Sequence, residues 1–303
     1  MPPREAGIGP AARPLDAVAV AIMTFLCLTW GFNQVAIKLA LPDIPPLIQA
    51  TLRSAGAAII IVIWARLRGV SLNVRDGTLI PGIAAGALFG FEFILIYRGL
   101  VWTTASRAAV FLYTSPFFVA LGARWFLPGD RLAPAQWIGL VLSFAGLLVA
   151  FGVPQAGDNP HALLGDLMVV GGGAAWGGTT LVIKGSRLAT APAEKTLAYQ
   201  LVTSVPILAI GALLLGEQVT HAPSAAALGW LAYQTVWVVS VTYAIWFAMV
   251  KRYAASRLSA FTFLTPIFGV AAGHFVLGEP VTLGFGAAVA LVVAGLVLVN
   301  RPR

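Results

Sequence analysis

The sequence predicts an all-α integral membrane protein whose ten transmembrane helices form two inverted-topology five-helix repeats. Composition is the first of three observations behind this prediction: of 303 residues, 59% are hydrophobic and only 10% are charged. Soluble domains carry roughly 25% charged residues, so a soluble globular protein is excluded. The other two observations are the spacing of the apolar stretches and a residue pattern that occurs twice.

Apolar stretches long enough to cross a bilayer recur along the whole chain. A spanning helix needs about 20 predominantly apolar residues, and clusters of proline, glycine and charged residues mark the boundaries between such stretches. The predicted spans are Ala17–Ile37, Ile44–Ala65, Leu79–Leu100, Ala105–Phe126, Ala133–Phe151, Leu163–Ile183, Leu197–Leu215, Ala225–Val250, Ala255–Leu277 and Val281–Val299.

The basic residues predict the orientation of these spans. An even number of spans places both termini on one side, and 15 of the 19 Lys and Arg residues fall on that side. By the positive-inside rule this side is cytoplasmic. The net charge of +8 is therefore attributed to topology, and no nucleic-acid partner is predicted because the basic residues form no continuous face. The predicted partners are the lipid bilayer and a small-molecule substrate; a monomer is sufficient, and a homodimer is compatible with it.

The two halves of the chain repeat one pattern. Residues 105–107 read Ala-Ser-Arg and precede Pro116, and residues 255–257 read the same and precede Pro266, an offset of 150 throughout. A Trp-Gly pair followed by a lysine also occurs once in each half. Because each half holds five spans, an odd number, the second copy enters the membrane from the opposite side. The predicted domains are a cytoplasmic N-terminal tail, 1–15; a first repeat, 16–152; a linker, 153–162; and a second repeat, 163–303.

Sequence motifs of enzymes and cofactor sites are absent from the chain. It contains no Walker-type phosphate loop, HExxH, GxSxG or paired-cysteine pattern, and its single cysteine, Cys27, lies inside an apolar stretch. We therefore predict that the protein is not an enzyme and has no metal or cofactor. Two repeats of opposite orientation with interrupted helices are instead typical of secondary transporters that work by alternating access.

Five sequence elements follow one another with a specific order and spacing. They are residues 30–33 (Trp-Gly-Phe-Asn), Pro45 and Pro46 with Arg53, residues 105–107 with Pro116, Gly139 with Gly146, and residues 277–280 (Leu-Gly-Glu-Pro). Together they resemble the EamA branch of the drug/metabolite transporter superfamily, and within that branch the chain is most like the YddG-type exporters of aromatic amino acids. The resemblance covers residues 16–300 and implies a ten-helix fold whose central cavity is lined by spans 1, 3, 4, 6, 8 and 9.

Candidate site residues lie on the spans that face this cavity. Pro116 and Pro266 fall in the middle of predicted helices, where each removes a backbone donor and predicts a kink or gate. Aromatic and polar side chains around the kinks offer stacking surfaces and hydrogen bonds, although packing or a headgroup belt explains any single aromatic equally well. The predicted substrate-binding residues are Trp30, Asn33, Gln34, Glu92, Phe111, Tyr113, Trp176, Thr179, Tyr243, Trp246 and Phe263.

Two opposite charges lie at matching depth on neighbouring spans. Arg53 is nine positions after Ile44, and Glu92 is ten positions before Trp102. At about 1.5 Å per helical residue their depths nearly coincide, which predicts an ion pair. The pair is either structural, holding two helices together, or functional, binding a charged group of the ligand or relaying a proton.

Glycines four residues apart predict a further feature of the third span. Gly82, Gly86 and Gly90 share one helix face and predict the close approach of a neighbouring helix.

The residues and the resemblance together predict a secondary transporter of the bacterial inner (cytoplasmic) membrane with both termini in the cytoplasm. We expect it to export a small amino acid or related metabolite, aromatic or otherwise hydrophobic. The alternatives are an EamA-type carrier for another solute, such as a purine, a threonine- or homoserine-like compound or a drug-like amphiphile, and a membrane protein with a structural role only.

Overall fold

The computed structural model describes residues 15–100, 102–103, 105–127, 129–151, 161–278 and 284–301. The secondary-structure elements in these residues are helices. The predicted tail and linker, 1–15 and 153–162, fall almost entirely outside these residues. A π-helical segment, Tyr233–Thr242, joins α9 to α10, and 3₁₀ turns cover Val74–Asp76 and Arg187–Ala189. The α-helices are α1 Ala17–Ala40, α2 Pro46–Leu67, α3 Leu79–Leu100, α4 Ala105–Leu112, α5 Ser115–Phe126, α6 Pro134–Phe151, α7 Ala162–Lys184, α8 Ala193–Leu214, α9 Ala225–Ala232, α10 Tyr243–Arg252, α11 Ala255–Phe261, α12 Leu264–Leu277 and α13 Phe285–Asn300.

Seven helical stretches in the described part of the chain are long and apolar enough to cross a membrane, which makes this a multi-pass membrane protein. The remaining three predicted spans overlap shorter apolar helices. The seven stretches are Ala17–Ala40, Pro46–Leu67, Leu79–Gly99, Ala162–Lys184, Ala193–Leu214, Ala225–Arg252 and Ala255–Val276; the shorter helices are Val110–Phe126, Pro134–Ala150 and Phe285–Asn300.

Two predicted spans are interrupted at equivalent places. α4 ends at Leu112 and α5 begins at Ser115, so that Pro116 lies in the first turn of α5, where its missing N–H is tolerated. In the second half α11 ends and α12 begins around residues 262–263, and Pro266 again lies in the first turn. The Thr114 and Thr262 hydroxyls each donate to a carbonyl oxygen three residues earlier, at 2.6 Å, and satisfy acceptors at the helix end.

The start of α8 differs from the sequence prediction. The helix begins at Ala193, four residues before the predicted Leu197, and it includes the buried Lys195. Lys195 Nζ lies 2.5 Å from Asp76 Oδ2 of the turn before α3. The hydrogen bond from Lys195 lowers the pKa of Asp76 to about 2, aided by the hydrogen bond from the Thr78 hydroxyl. Because a carboxylate partner neutralises it, the lysine is accommodated inside the helical bundle rather than in a loop.

The helix packing is unchanged when the two halves are exchanged. Exchange pairs α1 with α7, α2 with α8, α3 with the α9–π–α10 stretch, α4–α5 with α11–α12, and α6 with α13. α1 packs on α12, and its counterpart α7 packs on α5. α3 packs on α8, and α2 packs on the π segment. The α2–α8 and α6–α13 interfaces each join a helix to its own counterpart, so exchange of the halves leaves these two interfaces in place. Each of the other main interfaces has an equivalent in the other half.

Carboxylates from the loops bind helix N-termini at both ends of the bundle. Glu217, after α8, accepts hydrogen bonds from the backbone N–H groups of Leu47 and Ile48 at 2.9 and 3.0 Å. Asp130, after α5, accepts one from Ala255 N at 2.5 Å at the start of α11. A negative charge at this position satisfies free N–H donors and complements the helix dipole. The loops thereby fix the first half of the chain against the second.

Candidate functional site

Trp30 joins the first half of the chain to the second at the centre of the bundle. Its indole ring, on α1, lies edge-on to Trp246 and Tyr243 of α10, with ring centroids 5.6 and 6.0 Å apart. Its Nε1 donates a hydrogen bond to the Thr242 hydroxyl at 2.9 Å. Thr242 is the last residue of the π segment, a type of helix that occurs frequently at functional sites.

The ring contacts continue from Tyr243 onto α3. Tyr243 lies 6.1 Å from Phe89, Phe89 lies 4.9 Å from Phe93, and Phe93 lies 6.0 Å from Tyr97. We call Trp246, Trp30, Tyr243, Phe89, Phe93 and Tyr97 the aromatic run. Sequence reasoning missed Phe89, Phe93 and Tyr97 as site residues. Their spacing of four residues, which places them on one helix face beside Glu92, was the available signal.

A second group of predicted rings lies at the two helix breaks, between α4 and α5 and between α11 and α12. Tyr113, at the α4–α5 break, contacts Trp176 of α7 edge-on at 5.9 Å. The fully buried Phe263, at the α11–α12 break, lies 6.3 Å from Phe144 of α6. Tyr113, Phe263 and Trp246 belong to one buried hydrophobic cluster, against which Trp30, Trp176 and Tyr243 pack, so this group borders the aromatic run.

The remaining predicted polar and aromatic residues have varied surroundings. Asn33 is buried, and its Oδ1 has no hydrogen-bond partner in the described structure. The Thr179 hydroxyl donates to the Ala175 carbonyl of its own helix at 3.0 Å, so it is already engaged. Phe111 is half-buried in the last turn of α4. Gln34 lies on α1, but its side chain is outside the described residues.

Arg53 and Glu92 are both buried, with 1% and 8% of their surface exposed. Their charges interact, yet within the described residues no salt bridge of 4.0 Å or less joins them. The Arg53 guanidinium instead lies over the Phe93 ring, 4.3 Å from its centroid, and its Nε and Nη2 have no hydrogen-bond partner among the described residues. The close ion pair that the sequence predicts is therefore not formed in this conformation.

The repeated Trp-Gly pair has a structural reason in both halves. A Cβ atom on Gly31 of α1 would lie 2.8 Å from the Thr265 carbonyl oxygen, next to the α11–α12 break. In the other half, a Cβ atom on Gly177 of α7 would lie 3.0 Å from the Phe118 Cβ atom of α5. Glycine lets each helix approach the partner segment just beyond its break. The tryptophan beside it is thereby held at the bundle centre.

Family comparison agrees with this repeated architecture. The model of the EamA-like transporter family matches the chain twice, over residues 18–152 and 163–301. The chain belongs to the EamA-like transporter family. Its members are transporters, and the membrane assignment from the apolar helices is consistent with that.

Individual EamA relatives align along nearly the whole chain. The uncharacterized transporter YvbV of Bacillus subtilis is 27% identical, over 92% of this chain and 90% of its own length. The probable amino-acid metabolite efflux pump of Escherichia coli is 30% identical, over 88% and 89%. The uncharacterized inner membrane transporter YedA of Escherichia coli is 22% identical, over 91% and 88%.

A solved crystal structure has the same fold. It superimposes with a TM-score of 0.78 over 93% of this chain and 97% of its own, at 21% sequence identity. At this identity the likeness concerns the fold alone. The helix arrangement described above therefore also occurs in a solved structure.

The chemistry available at the site follows from these contacts. Aromatic edges and faces, hydroxyl groups and one pair of opposite charges line the junction of the two halves. Within the described residues, no group of three or more His, Cys, Asp or Glu side chains is placed to hold a metal ion. Aromatic rings of this kind can stack on another ring, and the hydroxyl groups can form hydrogen bonds.

Proposed function

We propose that this EamA protein is a secondary transporter that exports a small amino acid, aromatic or otherwise hydrophobic, from the bacterial cytoplasm. The observation that carries the proposal is the contact of Trp30 with Tyr243 and Trp246 where the two halves meet. Rings in edge-to-face contact offer a further ring a stacking surface of the same kind. Few fixed charges accompany them, which favours a solute without net charge over a phosphate or a dicarboxylate.

Alternating access is the mechanism that this architecture favours. We take residues 16–152 and 163–303 as two inverted repeats of five spans each, joined by residues 153–162 and preceded by the tail 1–15. The preserved packing under exchange of the halves supports this division. The breaks beside Pro116 and Pro266 provide the hinges, since a helix without a continuous backbone ladder bends at that point. One chain contains both repeats, so a monomer suffices.

The relatives and the charge distribution support the remaining parts of the proposal. One Escherichia coli relative is named as a probable amino-acid metabolite efflux pump, and YedA is named as an inner membrane transporter. With 15 of the 19 basic residues on the side that holds both termini, the positive-inside rule places the termini in the cytoplasm.

The test is counterflow of radiolabelled solutes into proteoliposomes that contain the purified protein. The panel includes phenylalanine, leucine, threonine, adenine and a dicarboxylate. We expect phenylalanine and leucine to accumulate above protein-free vesicles, with the dicarboxylate at background. Accumulation of adenine or threonine alone would assign the protein to another EamA substrate class. No flux of any solute would contradict a transport function of this kind.

A further inference from the structure

Arg53 is a buried cation, and two of its three guanidinium nitrogens have no hydrogen-bond acceptor within the described residues. It is 1% exposed, and neither its Nε nor its Nη2 has a partner within the described residues. The ring of Phe93 covers the face of the guanidinium at 4.3 Å, and stacking of this kind leaves the N–H groups on the guanidinium edge unused. An uncompensated buried charge is strongly destabilising, so this group calls for an anionic partner.

Glu92 is the opposite charge in the same region, and it does not take that place. It stands on α3 one residue before Phe93, buried to all but 8% of its surface, and its side chain makes no hydrogen bond within the described residues. Its charge interacts with that of Arg53, but no salt bridge closes between them. Two opposite charges held near each other without contact leave one acceptor and one donor site for a third group.

Other buried polar atoms on α2 and on the helices that pack against it are also unpaired. Ser54 Oγ of α2, Gln200 Oε1 of α8 and Gln234 Oε1 of the π segment have no hydrogen-bond partner in the described structure, and α2 packs against both α8 and the π segment. Gln200 is the residue that aligns with Arg53 when the halves are exchanged. Most buried polar groups in folded proteins have partners, so unpaired atoms of this kind are the exceptions that a polar ligand or water can satisfy.

The aromatic run leads directly to this charge pair. Arg53 stacks on Phe93, and the run continues through Phe89 and Tyr243 to Trp30. Glu92 lies on α3 between Phe89 and Phe93 of this run. A ligand with a ring among these side chains therefore has its polar end beside the two charges.

We propose that Arg53 and Glu92 are the two specificity-determining charges of the transport site, with Arg53 binding the carboxylate and Glu92 the ammonium group of a zwitterionic amino acid. Arginine offers a carboxylate two parallel N–H groups, and the ammonium group of the ligand gives Glu92 a cationic partner. The occupied site is electrically neutral, so that no charge remains buried without a partner. This assignment rests on the proposed amino-acid transport and adds the groups that recognise the zwitterion.

The test compares three competitors of labelled phenylalanine in proteoliposome counterflow. Phenethylamine lacks the carboxylate of phenylalanine, and 3-phenylpropionate lacks its ammonium group. We expect the wild type to require at least about tenfold more of either analogue than of unlabelled phenylalanine for half-inhibition, because each analogue leaves one buried charge unpaired. Arg53→Gln should abolish the preference over phenethylamine, and Glu92→Gln should abolish the preference over 3-phenylpropionate.

Matched variants separate recognition from folding. Arg98→Gln removes another arginine that stacks on a ring, Trp102 at 4.5 Å, and should leave both preferences intact. Arg53→Lys keeps the charge but loses the paired N–H groups, so it should retain part of the preference over phenethylamine. Melting temperature is measured for every variant, and a preference is a ratio that does not change with the amount of folded protein.

The outcomes distinguish this inference from the function on which it rests. Wild-type protein without flux of any amino acid overturns both. Flux with both preferences unchanged in Arg53→Gln and Glu92→Gln overturns the charge assignment and leaves amino-acid transport standing. If Arg53→Gln does not fold, Glu92→Gln decides: full retention of the preference over 3-phenylpropionate overturns the assignment.

Discussion

Trp30 and Trp176 occupy equivalent positions in the two halves but have different partners. Trp30 donates to Thr242 and contacts the rings of α10, whereas Trp176 contacts Tyr113. The residue that aligns with Thr242 in the first half is Glu92. The same element, a tryptophan before a glycine, therefore serves two different environments, and the difference lies in the residues opposite it.

The Trp30–Thr242 hydrogen bond yields a prediction at the scale of single residues. Trp30→Ala removes two ring contacts and one hydrogen bond, which together correspond to a loss of transport efficiency of about tenfold or more. Trp125 is 69% exposed, so the variant Trp125→Ala should transport normally. Trp30→Phe and Thr242→Val both remove this hydrogen bond; Trp30→Phe also makes the ring smaller, and Thr242→Val also removes the hydrogen bond from Thr242 to the Val238 carbonyl. Each should have a smaller effect than Trp30→Ala, and the loss in the double variant should be less than the sum of the two single losses, because the shared hydrogen bond is lost only once.

Kinetic measurements in proteoliposomes check this prediction. Additive losses in the double variant would mean that the two side chains act independently. Equal, mild effects of Trp30→Ala and Trp125→Ala would reduce Trp30 to a packing residue.

At the scale of helices, hydropathy and proline predict more than side-chain contacts do. The apolar stretches place every predicted span on an observed apolar helix, and the helix breaks lie beside Pro116 and Pro266. The π segment, in contrast, has no local signal: the residues from Tyr233 to Thr242 have an ordinary apolar composition. Its geometry depends on α1 and α2, which pack against it. Tertiary contacts of this kind are not encoded in any short stretch of sequence.

In the candidate site, too, the local sequence predicts individual residues, whereas the contacts between them depend on tertiary packing. Trp30, Tyr243 and Trp246 were predicted individually, but which rings meet depends on how α1 crosses α10. Phe89 and Phe93 were missed because apolar residues on a membrane helix have the same composition whether they face lipid or the bundle interior. Charged residues are more informative than apolar ones. Burying an ionisable side chain such as Arg53 or Glu92 costs free energy, so its presence inside a membrane helix points to a functional role.

The glycine ladder of α3 provides a prediction at the scale of helices. Its close approach to a neighbouring helix is confirmed: a Cβ atom on Gly86 would lie 2.5 Å from Thr203 Cβ and 2.9 Å from the Tyr199 carbonyl oxygen of α8. Because backbone cannot yield as a flexible side chain does, Gly86→Ala should destabilise the protein by about 1–3 kcal/mol. In Gly229→Ala on α9, the new Cβ atom meets nothing within 4 Å. That variant should be neutral or slightly more stable, because alanine is the better helix former.

Thermal unfolding in detergent compares the two glycine variants directly. A melting temperature of Gly86→Ala equal to that of the wild type would show that α3 and α8 separate easily, contrary to the packing described here.

At the scale of the whole molecule, the two halves have one architecture but different local contacts. Under the proposed alternating access, exchange of their conformations would give a second state with the same set of interfaces, as expected for inverted repeats that open alternately to the two sides. In that state we expect Trp176 to take, relative to Glu92, the position that Trp30 has here relative to Thr242. Such an exchange is available only if the second half crosses the membrane in the opposite direction to the first.

Membrane topology is therefore the prediction on which the whole arrangement depends. Gly69 and Gly129 lie in exposed turns with φ angles of 66° and 91°, after the second and fourth spans, and Gly216 lies in an exposed turn with φ 69° after the seventh. Such turns tolerate insertions. A reporter fused after Gly69 or Gly129 should be active only in the cytoplasm, because the basic residues concentrate there. A reporter after Gly216, or after Gly152 between the halves, should be active only outside.

Gly69 and Gly152 are separated by three predicted spans, so finding both on the same side would exclude an odd number of spans per half. With an even number the second half would enter from the same side as the first, and neither the exchange of Trp30 and Trp176 nor alternating access through inverted repeats would remain.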